Sequence, residues 1–286
     1  DILADLAGHT EKNRLPIFQL KPAKVQVSWL GYLNTSGLSE IEYRFVDNIT
    51  DPIKYNDRFS SEKLIRIPDC YISYKGDNLP SQNNIPFENN SYITFGSLNS
   101  MIKQSSEVLD LWSSIILGVK KSKLILKSEY FVDEEYQEEI YSYFEKKNIS
   151  RERIILVKFF NNVNDYYNIF NLIDISLDPF PYNGVTTTCD SFWMGVPVII
   201  LEGKTHCGRI AKSIAKNIGY PELVAKNKNE YKKIALNLAS NSDTLAVMKK
   251  TTRSMMINSP LCNGLKFTLK LESEYEKIIN NFYLLN

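Results

Sequence analysis

Apolar and polar positions follow two different rhythms, and the change falls near residue 90. In the first stretch the apolar runs are short. Ile2–Leu6, Val25–Leu30 and Tyr43–Val46 read as strands, and Leu64–Pro68 as a shorter one. Turn signals separate them: Gly8, Pro16, Pro22, Asn34–Gly37 and Thr50–Pro52. The segment "DNLPSQNNIPFENN", Asp77–Asn90, carries two prolines and many amides and predicts a linker.

From Tyr92 onward strands and helices alternate. "YITFGSLN" predicts a strand ending in a Gly/Asn turn. Glu107–Val119 has helical apolar spacing at Val108, Leu109, Leu111, Trp112, Ile115 and Ile116. "KLILK" (123–127), "RIILVKFF", "DISLD" and "VPVIIL" read as further strands. Helices are expected at Glu134–Lys146, Tyr166–Ile173, Thr187–Gly195 and Arg209–Ile218, then a short strand at Glu222–Ala225. Three helices close the chain, near Glu230–Ala239, Asp243–Met256 and Lys266–Leu284. Such alternation implies right-handed βαβ crossovers and a parallel α/β sheet covered on both faces. No internal repeat stands out.

Composition narrows the function classes. The chain of 286 residues has 34 Lys+Arg against 33 Asp+Glu, a formal net charge of +1, so nothing points to nucleic acid or an anionic membrane surface. No run of about 18 apolar residues predicts a membrane span. Cys70, Cys189, Cys207 and Cys262 are widely spaced, without Cys-x-x-Cys, and read as reduced thiols of a cytoplasmic protein. Two histidines, His9 and His206, leave little scope for a His-rich metal site. The start has no initiator methionine and leads straight into a strand, which suggests a truncated chain.

In an open parallel sheet, ligands bind beyond the carboxyl ends of strands. After the strand at 93–97 come Asn99, Ser100 and Lys103. A lysine there suits a phosphate oxygen as a point charge, although a lone lysine reads first as a solvated surface residue. After "DISLD" comes a Pro-rich loop ending in Gly184-Val185-Thr186-Thr187, and a helix begins. Its free N–H groups and partial positive charge favour an anion. Asp190, about one turn in, could accept from a ribose hydroxyl. Plain helix capping by threonine and aspartate is the simpler reading of these residues alone. After "VIILEGKT" stand His206, Cys207 and Arg209, where His206 could meet an anion or help place a sugar, and Arg209 could do the same or form a surface ion pair. Glu134, Glu135, Glu138 and Glu139 read as a solvated helix face rather than a glycosidase pair. There is neither a Walker A loop nor Gly-x-Gly-x-x-Gly.

Five blocks in order, "VQVSWLGYLNTSGLSEIEYRFVDNITDP", "SSEKLIRIPDCYISY", "ITFGSLNSMIK", "DISLDPFPYNGVTTTCDSFWMGVPVIIL" and "ELVAKNKNEYKKIALNLASN", resemble the catalytic region of the O-GlcNAc transferase family, which includes SPINDLY-type O-fucosyltransferases and bacterial tetratricopeptide-linked relatives. The resemblance runs over nearly the whole chain. It implies two Rossmann-like lobes of the glycosyltransferase B type, the N-terminal one incomplete. Residues 1–90 would form the C-terminal part of the acceptor-side lobe. Residues 91–286 would form the nucleotide-sugar lobe with its C-terminal helices.

The resemblance also implies roles. Lys103 would contact the donor diphosphate and support its departure. Asn99 and Ser100 would lie near the nucleotide. Thr186 and Thr187 would hold the β-phosphate, Gly184 and Val185 would lie beside them in the donor site, and Asp190 would meet the ribose. Thr35, Ser36, Gly37 and His206 would lie on the sugar and acceptor side. Tyr166 stands where a histidine is usual and would supply stacking. No metal or other cofactor is implied. The donor would be UDP-GlcNAc, with GDP-fucose second, and the acceptor a Ser/Thr hydroxyl of a protein. Tetratricopeptide repeats would lie upstream in a full-length protein. The alternative is a truncated, non-catalytic nucleotide-sugar-binding or scaffold module.

Overall fold

The structure is a computed structural model. It describes residues 1–76, 85–158, 160 and 162–285. Among these, the strands form two wholly parallel sheets.

The first sheet has the order β1-β2-β3-β4: β1 (Ile2–Asp5), β2 (Val25–Ser28), β3 (Tyr43–Val46) and β4 (Lys63–Arg66). All four were legible as apolar runs. A helix there was not: α1 (Leu15–Gln19) begins where Pro16 reads as a turn signal, because proline is tolerated in a first helical turn. Leu15 and Phe18 of α1 pack with Ile41 on one side of this sheet.

The second sheet has the order β10-β9-β8-β5-β6-β7. Its elements run α2 (Pro86–Asn90), β5 (Ile93–Ser97), α3 (Ser106–Gly118), β6 (Ser122–Lys127), α4 (Glu134–Glu145), β7 (Ile154–Val157), α5 (Val163–Asn168), β8 (Ile175–Leu177), α6 (Thr186–Trp193), β9 (Val198–Leu201), α7 (Ile210–Ile218) and β10 (Val224–Ala225). The helices α8 (Lys228–Ala239), α9 (Ser242–Ile257) and α10 (Gly264–Leu285) follow. Strand β9 is buried at every position, as expected of a parallel strand covered on both faces. Helix α7 places Ile210, Ala211, Ile214, Ala215 and Ile218 on one buried stripe. It ends at Gly219, whose φ of +99° suits a residue without Cβ. The glutamates of α4 are exposed, and Glu138 pairs with Arg151.

Two boundaries differ from expectation. The expected linker, Asp77–Asn90, lies outside the described residues over 77–84. Its remainder is Ile85, buried in the core with Ile93 and Phe95 of β5, and then α2, whose Phe87 N–H donates to Asp174 at 2.9 Å. The C-terminal helix does not stay with the second lobe. Phe267 and Ile278 of α10 are buried against Val25, Val27, Phe45 and Ile67 of the first lobe. The apolar face of the first sheet is covered by the far end of the chain.

Candidate functional site

Both sheets point the carboxyl ends of their strands into one cleft. The strand order of the second sheet reverses between β5 and β8, which is the switch point where open α/β sheets take ligands. The loops after β5 and β8 meet there. Lys103, at the end of a short 3₁₀ turn (Met101–Lys103), donates from Nζ to the carbonyl oxygen of Asn183 at 3.0 Å. Its ammonium lies 4.5 Å from the centre of the Tyr182 ring. Burial lowers the lysine's pKa, and nearby Asp178 opposes that shift. It is a positioned cation at the mouth of the sheet rather than a solvated surface lysine.

Buried Asn99 accepts from the Thr187 hydroxyl at 3.5 Å, tying the β5 loop to the start of α6. Ser100 is exposed and caps nothing with its side chain. The residue at the N-cap of α6 is Val185, with no side-chain cap, so the simple capping reading fails. Thr186 and Thr187 occupy the first turn, where main-chain N–H groups lack helical partners. Val185, Thr186, Thr187, Lys103 and Tyr182 line one wall of a cleft of about 460 Å³, and Leu30, Gly31, Leu33 and Tyr74 line the other.

Gly184 is fixed by crowding. A Cβ there would sit 2.6 Å from Thr188 Oγ1, 2.9 Å from Asp178 Oδ1 and 3.0 Å from Asn99 Oδ1. Its N–H instead donates to Asp178 Oδ1 at 2.9 Å. Asp178 is 1% exposed, and burial pushes its pKa up to about 7 against the pull of the Gly184 N–H and Lys103.

Asp190, expected to meet the ribose, is engaged within the protein. It is 1% exposed, and its carboxylate accepts from three hydroxyls: Tyr74 at 2.7 Å, Tyr166 at 3.0 Å and Tyr167 at 3.2 Å. Burial raises the pKa of Asp190, and the three hydroxyls oppose it. Tyr166, expected to stack, is tied to this carboxylate and packs edge-on against Tyr167 and Phe170.

His206 lines the same cavity as Thr35, and its ring is held from within the protein. It is 5% exposed, and both ring nitrogens are engaged, with Asp51 at 2.5 Å and the Tyr71 hydroxyl at 2.9 Å. Its pKa is lowered by burial. Arg209 is neither a surface ion pair nor an open cation: it is buried and donates to Thr50 O, Asn56 Oδ1 and Gly203 O. These two residues bolt the lobes together. On the first lobe Thr35 donates to Glu62 at 2.7 Å, and Ser36 gives Glu62 both its N–H and its hydroxyl. Gly37 takes a φ of +74° at the turn. Thr35 lines a second cavity beside the cleft, whereas Ser36 is buried against the glutamate.

The sequence over residues 1–80 and 79–271 matches Glycosyl transferase family 41. The chain belongs to glycosyltransferase family 41. Among curated relatives, a probable UDP-N-acetylglucosamine–peptide N-acetylglucosaminyltransferase SPINDLY of Petunia hybrida is 38% identical over 97% of this chain and 30% of its own length. The Arabidopsis thaliana protein of the same description is 36% identical over the same shares. The chain thus spans about 30% of the length of these relatives. Among solved structures, an O-GlcNAc transferase mutant of Thermobaculum terrenum superposes with a TM-score of 0.92 at 31% identity, over 99% of this chain and 53% of that one. The two sheets therefore adopt the two-lobed glycosyltransferase B arrangement. Staphylococcus aureus TarM, at 14% identity and a TM-score of 0.58, shares that fold.

The family 41 cleft of this chain contains residues that sequence reasoning passed over. Asp178 and Asn183 brace the loop that leads into α6, and both lay in plain view within "DPFPYNG". Tyr74, Asp51 and Glu62 lie within the first two of the five blocks that carry the resemblance, and none was singled out as a site residue. Their partners lie 116, 155 and 26 residues away in sequence.

Proposed function

We propose that this chain is the donor-binding core of an inverting protein O-glycosyltransferase, moving GlcNAc from UDP-GlcNAc to a Ser/Thr hydroxyl without a metal ion. The support is its family, the names its relatives carry, and one arrangement: Lys103, the first turn of α6 and the Gly184 loop converge at the switch point. In the reaction, the acceptor oxygen bonds to the anomeric carbon and gives up its hydroxyl proton to solvent, as the bond from that carbon to the β-phosphate oxygen breaks and the nucleoside diphosphate leaves. Charge then gathers on the departing diphosphate. Fixed donors at that point lower the barrier, because they need no reorganisation as charge develops. Lys103 supplies a positive charge, and α6 supplies main-chain N–H groups and the positive end of its dipole. Loop Leu30–Thr35 of the first lobe faces them and would close over the sugar.

The protein is expected to act in the cytoplasm, with upstream repeats of the full-length protein docking the acceptor. Among the described residues no helix is long and apolar enough to cross a membrane. One observation favours a non-catalytic second reading: the carboxylate expected to meet the ribose already holds three tyrosine hydroxyls. Calorimetric titration with UDP, GDP and UDP-GlcNAc, in EDTA, separates the readings. Micromolar UDP binding supports the UDP-sugar enzyme. A preference for GDP moves the donor to GDP-fucose, and no binding by folded protein leaves the non-catalytic module.

A further inference from the structure

A second cavity of about 340 Å³ opens beside the donor cleft. It lies between the loop after β9 and the segment after β3, again at strand carboxyl ends, and shares the Leu30–Thr35 loop with the cleft. Its deep wall holds Arg44, which is 4% exposed. The Nη2 of that guanidinium has no hydrogen-bond partner and lies 3.6 Å from the nearest carboxylate oxygen, on Asp51. A buried guanidinium nitrogen without a partner is costly, and a planar oxyanion is what its fork fits. At the rim stands Lys204, exposed, and exposed Arg58 lies over the Phe59 ring at 4.6 Å.

The two acids close to this cavity are already engaged. Asp51 accepts from Asn56 and pairs with His206, and its pKa is held down near 2 chiefly by that histidine against the opposing effect of burial. Glu62 accepts from Thr35, Ser36 and Ser60. A visiting anion therefore meets two cations in the lining, Arg44 and Lys204, against one ionised carboxylate there, Asp51. Tyr55 and Phe59, 40% and 61% exposed, form an aromatic lip suited to the stem of a side chain and the main chain beside it.

We propose that this cavity is an acceptor subsite that takes the acidic side chain of a peptide whose Ser/Thr hydroxyl lies in the cleft. The proposal rests on the glycosyltransferase reading above. A peptide crossing the Leu30–Thr35 loop would carry a neighbouring glutamate to Arg44 and Lys204, with its stem on the aromatic lip.

The test uses two peptides that differ only in a glutamate or glutamine flanking the serine, and free glutamate as a third probe. Binding to the protein charged with UDP is read by fluorescence anisotropy for the labelled peptides and by competition for glutamate. The expected result is a preference of about tenfold for the acidic peptide, lost in Lys204→Ala and in Arg44→Gln, with UDP affinity unchanged. Lys204 is exposed, so its variant keeps the test open if the Arg44 variant fails to fold. Equal binding of the two peptides, a preference that survives Lys204→Ala, or competition by free glutamate at peptide-like affinity overturns the proposal. Failure of UDP to bind the wild-type protein would count against the donor reading, and the peptide preference, measured without UDP, would still decide the subsite.

Discussion

Lys103 and Asn183 are joined by a 3.0 Å hydrogen bond from ammonium to carbonyl, which fixes the lysine over the switch point before any ligand arrives. The geometry makes Lys103 a preorganised charge. Lys103→Ala should weaken UDP and UDP-GlcNAc by about 10–100-fold, the range for losing a charged hydrogen bond of ~1.5–3 kcal/mol. Its melting temperature should move little, since one bond to a loop carbonyl is lost and the cleft accepts water. Calorimetry on folded protein checks both. Unchanged nucleotide affinity would remove Lys103 from the donor site.

Gly184 predicts a different signature. A methyl group at this position collides with Thr188, Asp178 and Asn99 at once. Gly184→Ala should therefore cost about 1–3 kcal/mol in urea unfolding, as overpacking does, and should displace the loop carrying Asn183. Stability and UDP affinity should fall together, in contrast to Lys103→Ala. A variant of normal stability would mean that the crowding relaxes cheaply.

Asp178 gives a pH dependence whose sign is fixed. Its folded pKa is raised to about 7 from an ordinary 3.8, so the folded protein holds a proton that the unfolded chain has lost. The stability it contributes is full below about 4 and is lost as pH rises through about 7. Denaturant unfolding at pH 5 and 8 should show this loss, and Asp178→Asn should flatten it. A nearby diphosphate adds negative charge and disfavours the carboxylate further. UDP-GlcNAc, whose diphosphate diester does not titrate in this window, should bind more weakly at pH 8 than at pH 6. The same affinity at both values would place the diphosphate away from Asp178.

The fold was largely readable because its signals are local. The run of β9, the stripe of α7 and the alternation of strands with helices each follow from a few adjacent residues. The residues that meet at the switch point lie in the segments after strand ends: Asn99 and Lys103 follow β5, and Thr186 and Thr187 open α6 after the β8 loop. What the sequence hid is long-range pairing. An amphipathic period shows that α10 has an apolar face, and nothing in it names the first sheet as the partner. His206 resembled a ligand-facing residue because its histidine chemistry is visible, while its partner Asp51 is distant in sequence and near only in the fold. Asp190 looked available because the three tyrosines that fill it come from two separate segments.

The His206–Asp51 contact also predicts a mechanical consequence. It joins the β9 loop of one lobe to the β3 segment of the other, with Tyr71 on the far ring nitrogen. His206→Ala leaves a buried carboxylate without its closest donor, and a loss of about 1–3 kcal/mol is expected from an orphaned buried acceptor. Limited proteolysis between the lobes should accelerate in step. A stable, equally resistant variant would mean that the remaining ties, Arg209 to Thr50, Tyr74 to Asp190 and α10 on the first sheet, hold the lobes without it.

The tyrosines on Asp190 make the last prediction, and it decides whether this carboxylate meets the ribose. A carboxylate has about four acceptor positions, and three hydroxyls already occupy this one. A ribose hydroxyl could bind there by displacing the most weakly held tyrosine, which is Tyr167 at 3.2 Å. Tyr167→Phe removes that competitor and should tighten UDP by a few-fold. The gain should vanish with UDP analogues lacking the ribose hydroxyl that reaches Asp190, identified by comparing the 2′-deoxy and 3′-deoxy forms. If the carboxylate is only a structural anchor for the tyrosines, Tyr167→Phe lowers the melting temperature and leaves the affinity for all three nucleotides alike. In that case the ribose is held elsewhere in the cleft, and the family role of Asp190 has been replaced in this chain by a buried tyrosine cluster.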